Sequence, residues 1–237
     1  MKSAQQWYDE GDAHFQQGEF EEGNMHFDKA LELDSKFMPA YRGKYRCLIA
    51  LGKYHETIQW CDKALEIDPT YRFALNSKGN ALLSLGRHES ALEYLEKTLQ
   101  LYPDWEFPYN GKGNCLRSMQ RQAEAVECYK KSLSIVPDDT IVMRNIAISL
   151  DELGRQTEAV EYYNQAIEIE PDNALFLCGR GALLKKIGKN EEALSDFKRA
   201  QKSMEEGFLD VKLEPWHVTY IKTLLASIPE LKKVTPP

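Results

Sequence analysis

An all-α array of stacked helix pairs is the fold class this sequence predicts, and three observations predict it. Its punctuation recurs at a fixed step of about 34 residues, the signature of a repeat architecture. The clearest copy runs from Arg72 to Trp105, and the next repeats it: Gly79 becomes Gly113, Ala91 becomes Ala125, Leu95 becomes Tyr129 and Pro103 becomes Pro137. Six copies fit end to end, at 4–37, 38–71, 72–105, 106–139, 140–173 and 174–207. Within a copy, apolar residues recur twice at helical spacing, with a glycine between the two runs.

In the copy starting at Arg72, Leu75, Leu82 and Leu85 form the apolar stripe of a first helix. Gly86 ends it, because glycine takes the left-handed cap geometry at no steric cost. Ala91, Leu92, Leu95 and Leu99 mark the second helix, and Pro103 stops it, lacking an N–H and clashing with the preceding turn. Asp104, Asp138 and Asp172 follow three of the prolines and suit the start of the next helix, where side-chain oxygens cap free N–H groups. The eighth place of each copy is small at Gly11, Gly79, Gly113, Ala147 and Gly181, so two helices can approach closely at their crossing. Copy two places Tyr45 and Thr57 where small residues are expected, which predicts a wider helix pair. Copy four has Gln120 at the helix–helix turn where other copies have glycine, which predicts either a different turn geometry or some strain. Copy six has Glu205 in place of proline, so its second helix runs from about Asn190 to Glu206 and ends at Gly207.

The period divides the chain into a six-repeat array, 1–207, and a C-terminal piece, 208–237. Pro215 suits a first helical turn, and Trp216, Tyr220, Ile221, Leu224, Leu225 and Ile228 give an amphipathic helix that Pro229 breaks. A stacked array needs its last apolar face covered, so this helix reads as a cap, with a fraying tail from Lys232 to Pro237.

The 237 residues are 43% hydrophobic and 28% charged, with a net charge of -7. An acidic balance argues against general nucleic-acid binding, which needs a basic footprint. No apolar run is long enough to cross a bilayer, and none at the N-terminus has signal-peptide length. Five scattered cysteines without a CxxC pair favour a reducing, cytoplasmic setting.

Beyond composition, the copies resemble tetratricopeptide repeats (TPRs), whose pattern is an aromatic, Leu-Gly, an aromatic, then Ala, Phe or Tyr, Ala and Pro. Trp7, Gly11, Gly18, Phe20, Phe27 and Ala30 carry it in copy one; Gly154, Ala159, Tyr163, Ala166 and Pro171 carry it in copy five. The resemblance covers roughly residues 4–207. It implies a right-handed α-solenoid whose first helices line a concave groove that takes extended peptides.

That lining is read off the period. The fifth place of each copy holds Tyr8, Arg42, Asn76, Asn110, Arg144 and Cys178, and the ninth holds Asp12, Arg46, Asn80, Asn114, Ile148 and Ala182. Residues four apart share one helix face, so Asn76/Asn80 and Asn110/Asn114 form two asparagine pairs in adjacent copies. An asparagine amide both donates and accepts, matching a peptide bond. Arg42, Arg46 and Arg144 add charge-assisted contacts that favour an acidic or mixed peptide, and Phe73 and Phe107 add apolar contacts. The same side chains also read as ordinary polar surface and seam filling.

No catalytic or metal-binding constellation emerges, and no cofactor is expected. His14 occupies a leucine position and reads as packed; His55 and His88 open second helices and read as exposed; Cys47 and Cys115 read as small buried hydrophobes. The leading expectation is a non-enzymatic, monomeric scaffold for a protein or extended peptide. The alternatives are a self-assembling structural protein, using Trp60, Tyr94 and Tyr162 on the second helices, or an accessory subunit of an enzyme complex. In the first alternative these three aromatics make contacts between molecules; otherwise they pack against the following copy.

Overall fold

The computed structural model describes residues 2–206 and 215–229. Gly207, the side chains of Trp216 and Tyr220, and the tail from Lys232 lie outside the described residues. The chain forms two compact units, one up to Gln120 and one from Arg121 on.

The first unit holds α1 (Ala4–Gln16), α2 (Phe20–Leu33), α3 (Met38–Ala50), α4 (Tyr54–Ile67), α5 (Arg72–Ser84), α6 (His88–Leu101) and α7 (Glu106–Ser118). The second holds α8 (Gln122–Ile135), α9 (Thr140–Glu152), α10 (Gln156–Ile169), α11 (Ala174–Lys186), α12 (Asn190–Glu205) and α13 (Pro215–Ala226). The described residues contain no strand. Each odd-numbered helix from α1 to α11 starts on the first residue of a 34-residue copy.

The turns follow from local sterics. Gly18, Gly52, Gly86, Gly154 and Gly188 all take positive φ between paired helices, and Gln120 takes φ 60° at the equivalent turn. A glutamine there meets the Cβ–carbonyl clash that glycine avoids, a cost of about 1–2 kcal/mol.

The helix starts correct the capping expectation by one residue. The Asp139 carboxylate accepts from the N–H groups of Ile141 and Val142, and the Asn173 side chain accepts from Leu175, so the caps of α9 and α11 are not Asp138 and Asp172. In α7 the cap position is Trp105, without a side-chain cap, and Asp104 stands outside it.

In the first unit Phe27 is fully buried beneath Tyr8, Gly11 and Gly43, with Ala30, Ala40, Tyr41, Tyr45 and Cys61 in the same core. The α3/α4 pair meets less extensively than α1/α2 or α5/α6. Tyr45 fills the crossing, 1% exposed, and its hydroxyl has no hydrogen-bond partner. Burial pushes its pKa far up. In the second unit Tyr129, Ile146, Leu150, Tyr163, Leu177 and Phe197 are buried. There α13 packs against α11 as the cap, with Ile221, Leu225 and Ile228 buried.

Candidate functional site

The predicted first-helix face of the first unit comes together only in part. Asn80 on α5 lies beside α7, because Gly111 leaves room: a Cβ there would stand 2.7 Å from the Asn80 amide oxygen. Among the described residues the Asn80 side chain makes no hydrogen bond, and the residue is partly exposed, with its amide oxygen against Gly111. Asn76 differs, for its amide oxygen is turned inward and buried with no donor. Asn110 and Asn114 are half-buried on α7 and both are already engaged in interactions.

The arginines divide as well. Arg46 donates to the Asp12 carboxylate at 2.9 Å and stacks on Phe15 at 3.9 Å, so its charge is compensated within the fold. Arg42 is exposed and lies 4.1 Å over the Phe73 ring. Phe73 packs edge-on against Trp105 at 5.4 Å, and Trp105 against Phe107 at 5.6 Å. Arg144 stands at the corresponding place on α9 in the second unit, half-buried and also engaged.

A second periodic feature was not anticipated. The seventh place of copies two, three and four is lysine, and each lysine reaches an acid sixteen residues earlier on the preceding second helix. Lys44 donates to Asp28 at 2.6 Å and to Asn24 at 3.0 Å, Lys78 pairs with Asp62, and Lys112 pairs with Glu96 at 2.7 Å. In copy five the place holds the buried Ile146, and sixteen residues earlier stands Lys130, which pairs locally with Glu127. In copy six Arg180 takes the role, bonding Asn164 sixteen residues earlier and Asp196 sixteen later. The opposite charges sixteen apart, recurring in copies two, three and four, were the available signal.

These cations also settle the second-helix aromatics. Lys44 and Lys63 lie over the Trp60 ring at 4.3 Å and 3.8 Å, and Tyr41 packs on it at 5.9 Å. The Tyr94 hydroxyl accepts from Lys78 at 2.7 Å. Both aromatics thus contact the first helix of their own copy, and both also pack against core clusters that reach into the following copy. Tyr162 is half-buried at the same place.

Among the described residues no cluster of three His, Cys, Asp or Glu side chains is placed to hold a metal ion. His14 departs from the packed reading: it is partly exposed, its Nδ1 lies 2.5 Å from Glu19, and its ring stacks on His26 at 4.7 Å. His88 departs the other way, being half-buried with an unpartnered Nδ1, while its carbonyl accepts from the Cys115 thiol. Burial pushes the Cys47 thiol up to about 11 and the Cys178 thiol up to about 12, and raises that of Cys61 further. These thiols stay protonated and unreactive near neutrality. A thiol reagent at pH 8 is therefore expected to label the half-buried Cys128 first, with the four buried cysteines reacting only on unfolding. Peptide mapping of the labelled chain checks this, and early modification of Cys61 would contradict it.

Sequence profiles of the tetratricopeptide repeat match residues 40–104 and 106–172, and two further ones match 4–37 and 162–195. The chain belongs to the tetratricopeptide-repeat family. The TPR fold is that of a protein–protein interaction scaffold. Similar solved structures share it. One is the APC/C hetero-tetramer Cut9–Hcn1, at 16% identity and TM-score 0.77 over 94% of this chain and 43% of that one. Another is a TPR protein from Parabacteroides merdae ATCC 43184, at 16% identity and TM-score 0.73 over 94% and 84%. A third is PilF of Pseudomonas aeruginosa, at 23% identity and TM-score 0.71 over 84% and 90%. At such identities the likeness shows the fold alone. No curated protein matches the chain. Among the described residues no helix is long and apolar enough to cross a membrane.

Proposed function

We propose that this TPR chain is a non-enzymatic, monomeric scaffold of the cytoplasm that grips an extended peptide segment of a partner protein on its first-helix face. Residues 1–207 act as the array in this reading, and 208–237 supply the capping helix and tail. In the first unit the contact residues are Arg42, Arg46, Asn76, Asn80, Asn110 and Asn114, with Phe73 and Phe107 beside them; Arg144 takes the corresponding place in the second unit. The observation that carries the proposal is the Asn80 amide, partly exposed and without an internal partner on a face where asparagine recurs on the next first helix. An open amide of this kind holds a peptide bond from either side. The buried thiols, kept protonated, support a non-catalytic role. The internal use of Trp60 and Tyr94 disfavours self-assembly through the second helices.

Each neutral hydrogen bond nets only about 0.5–1.5 kcal/mol. A micromolar complex needs about 8 kcal/mol. The ladder therefore sets register, and the exposed Phe107 and its neighbours supply apolar contact. In a peptide-library screen by fluorescence polarisation, the Asn80→Ala/Asn114→Ala double variant is expected to bind extended peptides about 5- to 150-fold more weakly than the parent, the loss of roughly 1–3 kcal/mol. Equal binding by both proteins would rule this face out.

A further inference from the structure

We infer that the surface formed by Arg42, Phe73, Arg72, Trp105 and Phe107 recognises an acidic segment of pattern acid-x-acid-x-apolar in an extended peptide. The inference rests on the proposed peptide-scaffold reading and deepens it by naming the partner's chemistry. All five residues belong to the first unit.

The two guanidinium groups lie over one ring, that of Phe73. Arg42 lies 4.1 Å and Arg72 4.8 Å from the Phe73 centroid, so they are at most about 9 Å apart. Arg72 also lies 5.1 Å from the Trp105 centroid, and Phe107 continues the surface with 54% of its area exposed. Both arginines are exposed, and among the described residues no carboxylate stands within ion-pairing distance of either. Arg46, Arg121, Arg155 and Arg180 each pair with an acid, whereas Arg42 and Arg72 rest on rings instead.

Stacking on a ring covers one face of a guanidinium and leaves its N–H edge free for a carboxylate. It also holds the fork in place, so less side-chain freedom is lost on binding. In an extended chain, side chains at i, i+2 and i+4 point the same way and recur every ~6.6–6.8 Å. Two carboxylates at i and i+2 fall within the limit of about 9 Å set by the two ring distances, and an apolar side chain at i+4 would meet Trp105 and Phe107. Arginine beside aromatic rings also suits single-stranded nucleic acid. The net charge of -7 opposes a polyanion far more than a short segment with two carboxylates.

The test uses the full chain and four fluorescein-labelled probes. They are a ten-residue peptide containing Glu-Ala-Glu-Ala-Phe, the same peptide with both Glu replaced by Gln, the same peptide with Phe replaced by Ala, and a ten-residue oligothymidylate. The proteins are the parent, Arg42→Gln/Arg72→Gln, Arg42→Lys/Arg72→Lys and Asn80→Ala/Asn114→Ala. The expected result is that the Glu peptide binds the parent at least 10-fold more tightly than the Gln peptide. The Gln variant should abolish that preference, the Lys variant should restore it only in part, and the Phe→Ala peptide should bind several-fold more weakly. If Glu and Gln peptides bind alike and weaken only in the asparagine variant, the scaffold reading stands and this inference falls. If the Glu preference survives the asparagine variant but not the arginine variant, this inference stands without the asparagine ladder. Tighter binding of the oligothymidylate, or no binding of the Glu peptide at 1 mM, on the order of the weakest measurable affinities, overturns the inference.

Discussion

Arg180→Ala should lower the unfolding free energy by about 3–5 kcal/mol, the range for breaking a buried ion pair by removing one partner. The Arg180 guanidinium donates through Nε and Nη2 to the two Asp196 oxygens, both at 2.7 Å, and through Nη1 to Asn164 at 2.8 Å. It thereby ties α10, α11 and α12 together. The Asp196 side chain is 4% exposed, so alanine at 180 strands a carboxylate where water reaches it poorly. Replacing both partners with leucine should recover most of the loss, since an apolar pair leaves no unmet charge. Urea denaturation of the parent and the two variants decides it. A loss under about 1 kcal/mol for Arg180→Ala would mean the pair behaves as a solvated surface bridge.

Phe27→Ala should cost a similar amount, about 3–5 kcal/mol, through the cavity it leaves in the first unit. The ring is fully buried between α1, α2 and α3. Two glycines exist to admit it: a Cβ at Gly43 would stand 2.5 Å from the ring, and one at Gly11 would stand 2.8 Å from it. Gly43→Ala alone should therefore destabilise by about 1–3 kcal/mol through overpacking. In a Phe27→Leu background the same change should cost less, because the smaller side chain gives up the contested space. The coupling expected for touching residues is about 0.5–3 kcal/mol. Strict additivity in thermal or urea melts would show that Gly43 is small for some other reason.

The repeat boundaries were legible because they depend on rules acting within a few residues. Pro103 and Pro137 cannot continue a helix, and Gly86 or Gly154 takes the left-handed turn that other residues resist. The exception was readable only as a choice between another geometry and strain: Gln120, without glycine's freedom, still adopts φ 60°. Caps were misplaced by one residue because Asp138 and Asp139 look alike in sequence, and only backbone direction decides which carboxylate meets the free N–H groups.

The candidate site was legible as positions and not as states. Periodicity paired Arg42 with Arg46 on α3 and Asn76 with Asn80 on α5, but it could not say which were already occupied. Arg46 is taken by Asp12, thirty-four residues away, whereas Arg42 rests on Phe73 with its edge free. Trp105 and Arg72 escaped notice because one closes a copy and the other opens one, and only packing brings them to the same surface.

The sequence by itself determined the all-α class, the 34-residue period, the helix pairs and the small residues at their crossings. Each follows from local sterics and from apolar spacing along one helix. Tertiary structure alone decided the partners: lysine with the acid sixteen residues back, arginine on a ring in the next copy, and an amide left open beside Gly111. Such pairings depend on distances across helices. A charge or an amide announces only that it needs a partner, and the fold chooses whether that partner is internal or left for another molecule to supply.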